Sequence, residues 1–256
     1  MSSMIASPFP AGVVAETAAP LPPGGWLLCF GQAVSRSIYS ALFNALCPVI
    51  GAFTVSIATP GVVTFAGHGM QAGDRFRLFT SGALPTGLAA NTDYYVIAAG
   101  FGAGAFQLSA TLGGAAINTS GTQSGTHTLQ RFPHGAGDGS TTFTLPDGRG
   151  RIRAGADAMG GTAAGRLTVA GSGVYSAALG AVGGTESHTL TAAQSGIATH
   201  SHGVSSFSTG GSSYNVSAGG LGGTDVSGTG NAGPTSASAA HPNVQPVLTL
   251  NTIIKT

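Results

Sequence analysis

The pattern of hydrophobic and polar residues between positions 52 and 130 predicts a series of short β-strands. Segments such as 92–98 and 104–109 alternate apolar and polar residues with the period of two that half-buried strands show. Turns that contain Gly or Pro separate the segments. The predicted strands cover residues 53–58, 62–65, 75–80, 94–98, 106–108 and 127–130. This part of the chain is therefore expected to form a compact β-domain of its own.

A helical pattern precedes these strands. Apolar residues recur there at the spacing of one face of an α-helix, which predicts one short helix. Ser35 or Ser37 can act as its N-cap, and Pro48 is expected to end it after Cys47. The residues that share the predicted face are Ile38, Leu42, and Ala45 or Leu46.

A further strand is predicted at residues 141–145. Asp138 and Gly139 form a turn before it, and Pro146 ends it because proline cannot donate to a β-ladder. Three arginines follow at positions 149, 151 and 153. We expect them to pair with carboxylates such as Asp147 or with carbonyls of neighbouring chains, since charges in so apolar a chain need partners. The alternative is that they bind an anionic saccharide or a lipopolysaccharide phosphate.

The composition narrows the class of protein. Only 7% of the 256 residues are charged, the formal net charge is +1, and 43 residues are Gly. No basic surplus is present to neutralise phosphates, so we do not expect nucleic-acid binding. A hydrophobic content of 42% is too high for a wholly disordered chain. A surface with so few charges suits a chain that is buried against copies of itself, as in a fibrous trimer.

Little in the sequence supports catalysis. Glu occurs only at positions 16 and 186, and no nucleophile elbow or phosphate-binding loop is present, so we expect no enzymatic activity. Cys29 and Cys47 lie in apolar surroundings and are expected to be buried free thiols, with a bridge between them as the alternative. The best candidates for chemistry are His200 and His202, which would point to the same face of a strand.

Several segments resemble the phage tail-collar family. Residues 137–151, GDGSTTFTLPDGRGR, are similar to the signature strand of the family and the arginine-containing turn after it. Residues 23–32, PGGWLLCFGQ, resemble the start of the same module, although Phe30 stands where the family usually has Asp. Residues 243–255 and 184–202 resemble the C-terminal ending of these proteins and their linker before an H-x-H pair.

The resemblance implies a mainly β fold in a homotrimer. The expected parts are a collar-type β module with one short helix, an inserted small β-domain, and a Gly/Ser/Thr-rich intertwined C-terminal region. Residues 52–130 resemble small β-modules that recur in phage tail proteins, and we interpret them as the insertion. The predicted divisions are an N-terminal attachment segment at 1–23, the collar module at 24–51 and 131–155, the inserted domain at 52–130, and a C-terminal fibre and receptor-binding region at 156–256.

The resemblance also implies a metal site. Carried over from related fibres, His200 and His202 of three chains would surround one axial ion, and six imidazole nitrogens suit octahedral iron or zinc. The alternative is that the two histidines are solvated or hydrogen-bonded positions on a polar strand.

The function implied by the resemblance is structural and host-receptor-binding. The chain is expected to belong to the tail of a phage or phage-like particle, where it contacts other tail or baseplate proteins and a saccharide or outer-membrane receptor on the bacterium. We expect assembly in the host cytoplasm, with no membrane insertion, because no apolar run approaches the roughly 20 residues that span a bilayer. The alternatives are a tail-associated polysaccharide depolymerase and a bacterial collar-family protein without a role in a virion.

Overall fold

The computed structural model describes residues 9–189, 208–209, 212–213, 240–242 and 246–256. The described part is mainly β, which confirms the predicted fold class at that level. The chain forms two units, Met1–Gly184 with Leu248–Thr256, and Thr185–Val247. The elements are β1 (Val14–Thr17), β2 (Trp26–Leu28), β3 (Ala33–Ser35), α1 (Ser40–Leu46), β4 (Val49–Val55), β5 (Val62–Thr64), β6 (Arg75–Thr80), β7 (Asp93–Val96), β8 (Ala105–Ser109), β9 (His127–Arg131), β10 (Thr142–Thr144), α2 (Val169–Ser172), β11 (Ser187–Thr189), β12 (Ser208–Thr209), β13 (Ser212–Ser213), β14 (Ala240–Pro242) and β15 (Asn251–Lys255).

Six strands close into an antiparallel barrel in the order β4-β5-β8-β7-β6-β9. The alternation seen in the sequence gives each strand an inward and an outward face; in β6, for example, Phe76 and Leu78 are buried and their neighbours are less so. The inward side chains form one apolar cluster. Its buried members are Phe53, Val55, Val63, Met70, Phe76, Leu78, Tyr94, Val96, Phe106, Leu108 and Leu129.

The barrel occupies the stretch for which the sequence predicted a separate β-domain. Its first strand begins at Val49, ahead of the predicted position 53, and the register of β4 against β9 shifts between Val49 and Gly51. The earlier residues escaped prediction because an apolar run with an irregularity does not alternate. Whether the barrel folds on its own stays a prediction.

A second sheet brings the two ends of the chain together. β15 lies between β1 and β2 and pairs with both in antiparallel register. The sequence assigned the last residues to the C-terminal region, whereas Ile253 and Ile254 pack here with the first strands. Nearby, β10 pairs with β3, which directly follows the PGGWLLCFGQ segment, and an isolated bridge joins Phe30 of that segment to Asp147.

The core of this collar region is small and apolar. It contains Cys29, Leu42, Cys47, Phe132, Ala136, Phe143, Leu145 and Ile254. The guanidinium group of Arg36 covers it, 4.9 Å from the ring centre of Phe43 and 5.5 Å from that of Phe132. Both cysteines are buried free thiols, as expected.

Helix α1 begins later than the sequence suggested. Ser35 is the last residue of β3, and Tyr39 stands at the N-cap without a side-chain hydrogen bond. Ile38 therefore lies before the helix and is exposed, while Leu42 is buried as predicted. The predicted end is confirmed, since Cys47 is the C-cap.

After the collar region the chain runs back over the barrel. We call residues 173–181 the strap. Tyr175 lies against Gly73, where an added Cβ would be 2.7 Å from the Tyr175 Cβ. The Leu179 N–H donates to the buried carboxylate of Asp74, which also accepts from Gln71 N–H at 2.7 Å and pairs with Arg131. The strap is thus held by both packing and charge-assisted hydrogen bonds.

The described strands of the second unit form two short pairs. β11 pairs with β14, which sets His188 and His241 opposite each other in register, and β12 pairs with β13. Neither helix in the described part of the chain has the length and apolar character needed to cross a membrane.

Candidate functional site

The predicted metal ligands His200 and His202 lie outside the described residues. In the part of the chain that the structure describes, no group of three or more His, Cys, Asp or Glu residues is arranged to hold a metal ion. The axial iron or zinc ion therefore stays a prediction.

The arginines after β10 form an arginine loop, residues 147–153. Arg149 donates twice to the Asp147 carboxylate, at 2.9 Å from Nε and 2.9 Å from Nη2. Arg151 donates to the Asp147 carbonyl at 2.8 Å, and Arg153 pairs with Glu16 at 2.6 Å. Pairing with carboxylates is confirmed. Residues 148–153 form no strand.

The charges in this loop compensate one another. Hydrogen bonds from Arg149 hold the pKa of the Asp147 carboxyl well below its usual range. All three guanidinium groups are exposed to solvent, where ion pairs contribute little to stability. The geometry indicates a surface loop whose form is fixed by Asp147.

An open groove lies on the side of the barrel beside β4 and β5. Its volume is about 680 Å³, within the range of ligand sites. It is bounded by the adjoining strands and by the loop that leads into β9. The lining residues are Ala52, Phe53, Thr54, Thr64, Phe65, Ala66, Gln123, Ser124, Gly125, Thr126 and His127.

One wall of the groove is fixed by a chain of hydrogen bonds. Gln123 Nε2 donates to the Val55 carbonyl at 2.7 Å, which leaves Gln123 Oε1 to accept from His127 Nε2 at 3.1 Å. His127 Nδ1 is then the acceptor of the Thr80 hydroxyl, 2.8 Å away. His127 is buried and both of its ring nitrogens are satisfied, so its role is structural.

The opposite side of the groove carries an aromatic ring. Phe65 is half-buried and packs on the edge of the barrel core. Its ring lies over Gly51, where an added Cβ would stand 2.9 Å from the ring and where φ is +150°. The glycine therefore makes room for the ring at the surface.

Hydroxyl groups complete the groove. Thr54 and Thr64 are exposed and face each other across β4 and β5. Thr126 is exposed on the loop before β9. The hydroxyls of these three residues have no protein hydrogen-bond partner in the described residues, and no charged side chain lines the groove.

A comparison with known protein families decides what kind of module the first strands form. Residues 12–59 match the model of the Phage Tail Collar Domain. This part of the chain is similar to a phage tail collar domain. This confirms the resemblance drawn from the sequence, and it suggests a phage tail protein. No curated protein and no solved structure matches the chain.

The collar match runs from the N-terminal sheet into the barrel. It includes β1 to β4 and α1, and it stops in the turn between β4 and β5. The groove thus begins on the last strand of the collar match and is completed by residues beyond it. The Thr residues of these strands are the one signal for the groove in the sequence, but Thr is common on any strand surface.

Proposed function

We propose that this chain is a structural and host-receptor-binding component of a phage or phage-like tail. The observation that carries the proposal is the collar match over residues 12–59. The bridge between Phe30 and Asp147 supports it, because it joins two segments that resemble the collar family, residues 23–32 and 137–151. The role is attachment, not catalysis, and the partners are other tail proteins and a receptor on the bacterial surface.

Assembly as a homotrimer is part of the proposal. Large apolar side chains are exposed along residues 152–182 and just before β15; Met159 is 79% exposed and Leu248 is 83% exposed. Contiguous apolar surface of several hundred Å² is rare on monomers. Further copies of this chain would cover these side chains, and the low charge of the sequence agrees with such burial.

Electron microscopy with a bound antibody tests the tail assignment. Particles from lysed host cells, labelled with an antibody against this chain, should carry the label at the tail. The purified protein, added before infection, should compete with particles for adsorption to the host. Label that is absent from tails would overturn the proposal and favour a bacterial collar protein without a virion role. Turnover of purified capsule polysaccharide by the protein would favour a depolymerase.

The axial metal is tested separately. Elemental analysis of the purified trimer should find about one iron or zinc ion per three chains if both imidazoles of each chain are ligands. Replacing both residues, His200→Ala with His202→Ala, should abolish the bound metal and lower the melting temperature. Replacing His188 by Ala is the matched control and should leave the metal content unchanged. A metal-free trimer after incubation with both ions would leave the pair as ordinary polar residues.

A further inference from the structure

We propose that the groove beside β4 and β5 binds a neutral oligosaccharide. The inference rests on the proposed receptor-binding function and names the site and the chemical class of its ligand. The groove is about 680 Å³ and open to solvent, which suits a short chain of sugar units better than a small molecule that needs an enclosed cavity.

Charge decides between classes of ligand. No Asp, Glu, Lys or Arg lines the groove, and its one histidine has both ring nitrogens engaged within the protein. A phosphate or carboxylate would have to leave water without gaining a counter-charge, which is unfavourable. The ligand is therefore uncharged.

The available polar groups match sugar hydroxyls. The hydroxyls of Thr54, Thr64 and Thr126 can each donate and accept, and none of them is used by the protein in the described residues. Because Thr54 and Thr64 are direct partners across two strands, their hydroxyls are held at a fixed separation by the ladder. Rigid, neutral hydroxyls suit a ligand that itself offers both donors and acceptors.

The Phe65 ring supplies the apolar part of the site. A hexose has one face made mainly of C–H groups, which packs on an aromatic ring while the hydroxyls around its edge bond to polar groups. Gly51 leaves room for that half-buried ring, and the fixed Gln123–His127 wall also lines the groove. An aromatic ring beside neutral hydroxyls is the combination that a sugar needs.

Binding of the full-length protein to an array of short oligosaccharides tests the inference. The probes are neutral hexose oligosaccharides and uronic-acid-containing ones of the same length. We expect binding to at least one neutral probe. The dissociation constant, measured by titration calorimetry, should change little between low and high salt, because screening acts on charges. If no neutral probe binds, or if an acidic probe binds best, the inference is overturned.

Variants assign the binding to the groove. Phe65→Ala should weaken binding at least about tenfold, and Thr64→Val by about two- to tenfold. Phe101→Ala is the matched control, since it removes a partly exposed ring from the same barrel outside the groove. Thr54→Arg is the second test: it fills the groove from an exposed position and spares the core, so it should abolish binding even if Phe65→Ala perturbs folding.

The outcomes separate this inference from the proposed function. If Thr54→Arg binds the neutral probe as well as the parent does, the groove is not the site, whatever the location of the protein. If the protein binds the probe through the groove while the antibody finds no label on tails, the saccharide site stands and the tail assignment fails.

Discussion

The barrel buries its apolar residues in one core, whereas the segment that follows the collar region leaves large apolar side chains exposed to solvent. In the barrel, eleven buried residues form one cluster inside six strands. In residues 149–182, the single regular element is the four-residue helix α2, and Ile152, Met159 and Val182 point into solvent. The barrel is complete within one chain. The segment resembles one side of an interface whose other side belongs to a second molecule.

The strap is the part of this segment that packs on the barrel. Ala178 is buried and Leu179 uses its backbone N–H on Asp74, but the Leu179 side chain is exposed. Contact with the barrel therefore satisfies the backbone of the strap and leaves large apolar groups outside. The homotrimer proposed above would cover these groups, and the variants below test the contrast.

The largest effect is expected from opening the barrel core. Phe106 is fully buried and makes edge contacts with Phe76 and His68 at centroid distances of 5.6 and 5.0 Å. Phe106→Ala should lower the free energy of unfolding by about 3–5 kcal/mol, measured by urea titration with circular dichroism. The control Phe101→Ala, at a residue 36% exposed, should cost much less. Equal costs for the two would mean that the barrel is not closed in solution.

The next effect concerns assembly. Met159→Ser with Leu248→Ser should shift the mass found by light scattering from trimer toward monomer, because each large apolar side chain buried at an interface contributes about 1.5–3 kcal/mol. The far-ultraviolet spectrum of the barrel should persist. Ile57→Ser, at a barrel residue 48% exposed, is the control and should leave the trimer intact. A parent protein that is a stable monomer would show that the exposed apolar side chains are not an interface between copies of the chain.

The strands of the barrel were predictable from the sequence, and their closure was not. Alternating residues located all six strands to within a few positions. The pairing of β6 with β9 and of β5 with β8 joins segments far apart in the chain, and no local pattern specifies such neighbours. Ser35 was a misleading capping signal because its backbone is taken up by the pairing of β3 with Thr142.

The groove shows why a site of this kind escapes sequence analysis. Thr54, Thr64 and Thr126 come from three separate segments, and each alone is an ordinary β-strand or loop residue. The ring of Phe65 can lie against another strand only because Gly51 there has no side chain. The arginine loop was easier to interpret, since Asp147 lies two residues from Arg149 and the pairing is local.

A pH effect is expected where the strap meets the barrel. Burial, and then the charge of Arg75, lower the pKa of His134 to about 4, and Gly180 of the strap lies against its ring. Between pH 6.5 and 4 the unfolded chain binds a proton that the folded protein does not, so stability rises with pH through this window. Acidification through this pH window should lower the free energy of unfolding by about 2 kcal/mol, allowing for the partial exposure of the ring.

Urea titrations at pH 7 and pH 4.5 measure this loss. The variant His134→Gln cannot take up a proton, so its free energy of unfolding should change less between the two pH values. A smaller change in this variant would assign the loss to the imidazole of His134. Asp74 acts in the opposite direction, because burial raises the pKa of its carboxyl and protonation favours the folded state. If His134→Gln keeps the slope of the parent protein, the imidazole is solvated and the strap is not packed on it.

The smallest effect is expected in the collar core, which is buried from solvent as the barrel core is. Burial raises the pKa of the Cys29 thiol to about 11 and that of Cys47 to about 12, despite the lowering influence of nearby arginine charges. Because the thiolate is the reactive form, neither cysteine should react with a disulfide reagent at pH 8 in the folded protein. Both should react in urea, since no disulfide joins them.

Val34→Ala, which loosens the packing of β3 on this core, should speed the reaction of the cysteines, whereas Val182→Ala in the exposed segment should leave the rate unchanged. Rapid reaction of the cysteines in the native parent protein would show that the collar core opens to solvent and is not a closed region like the barrel.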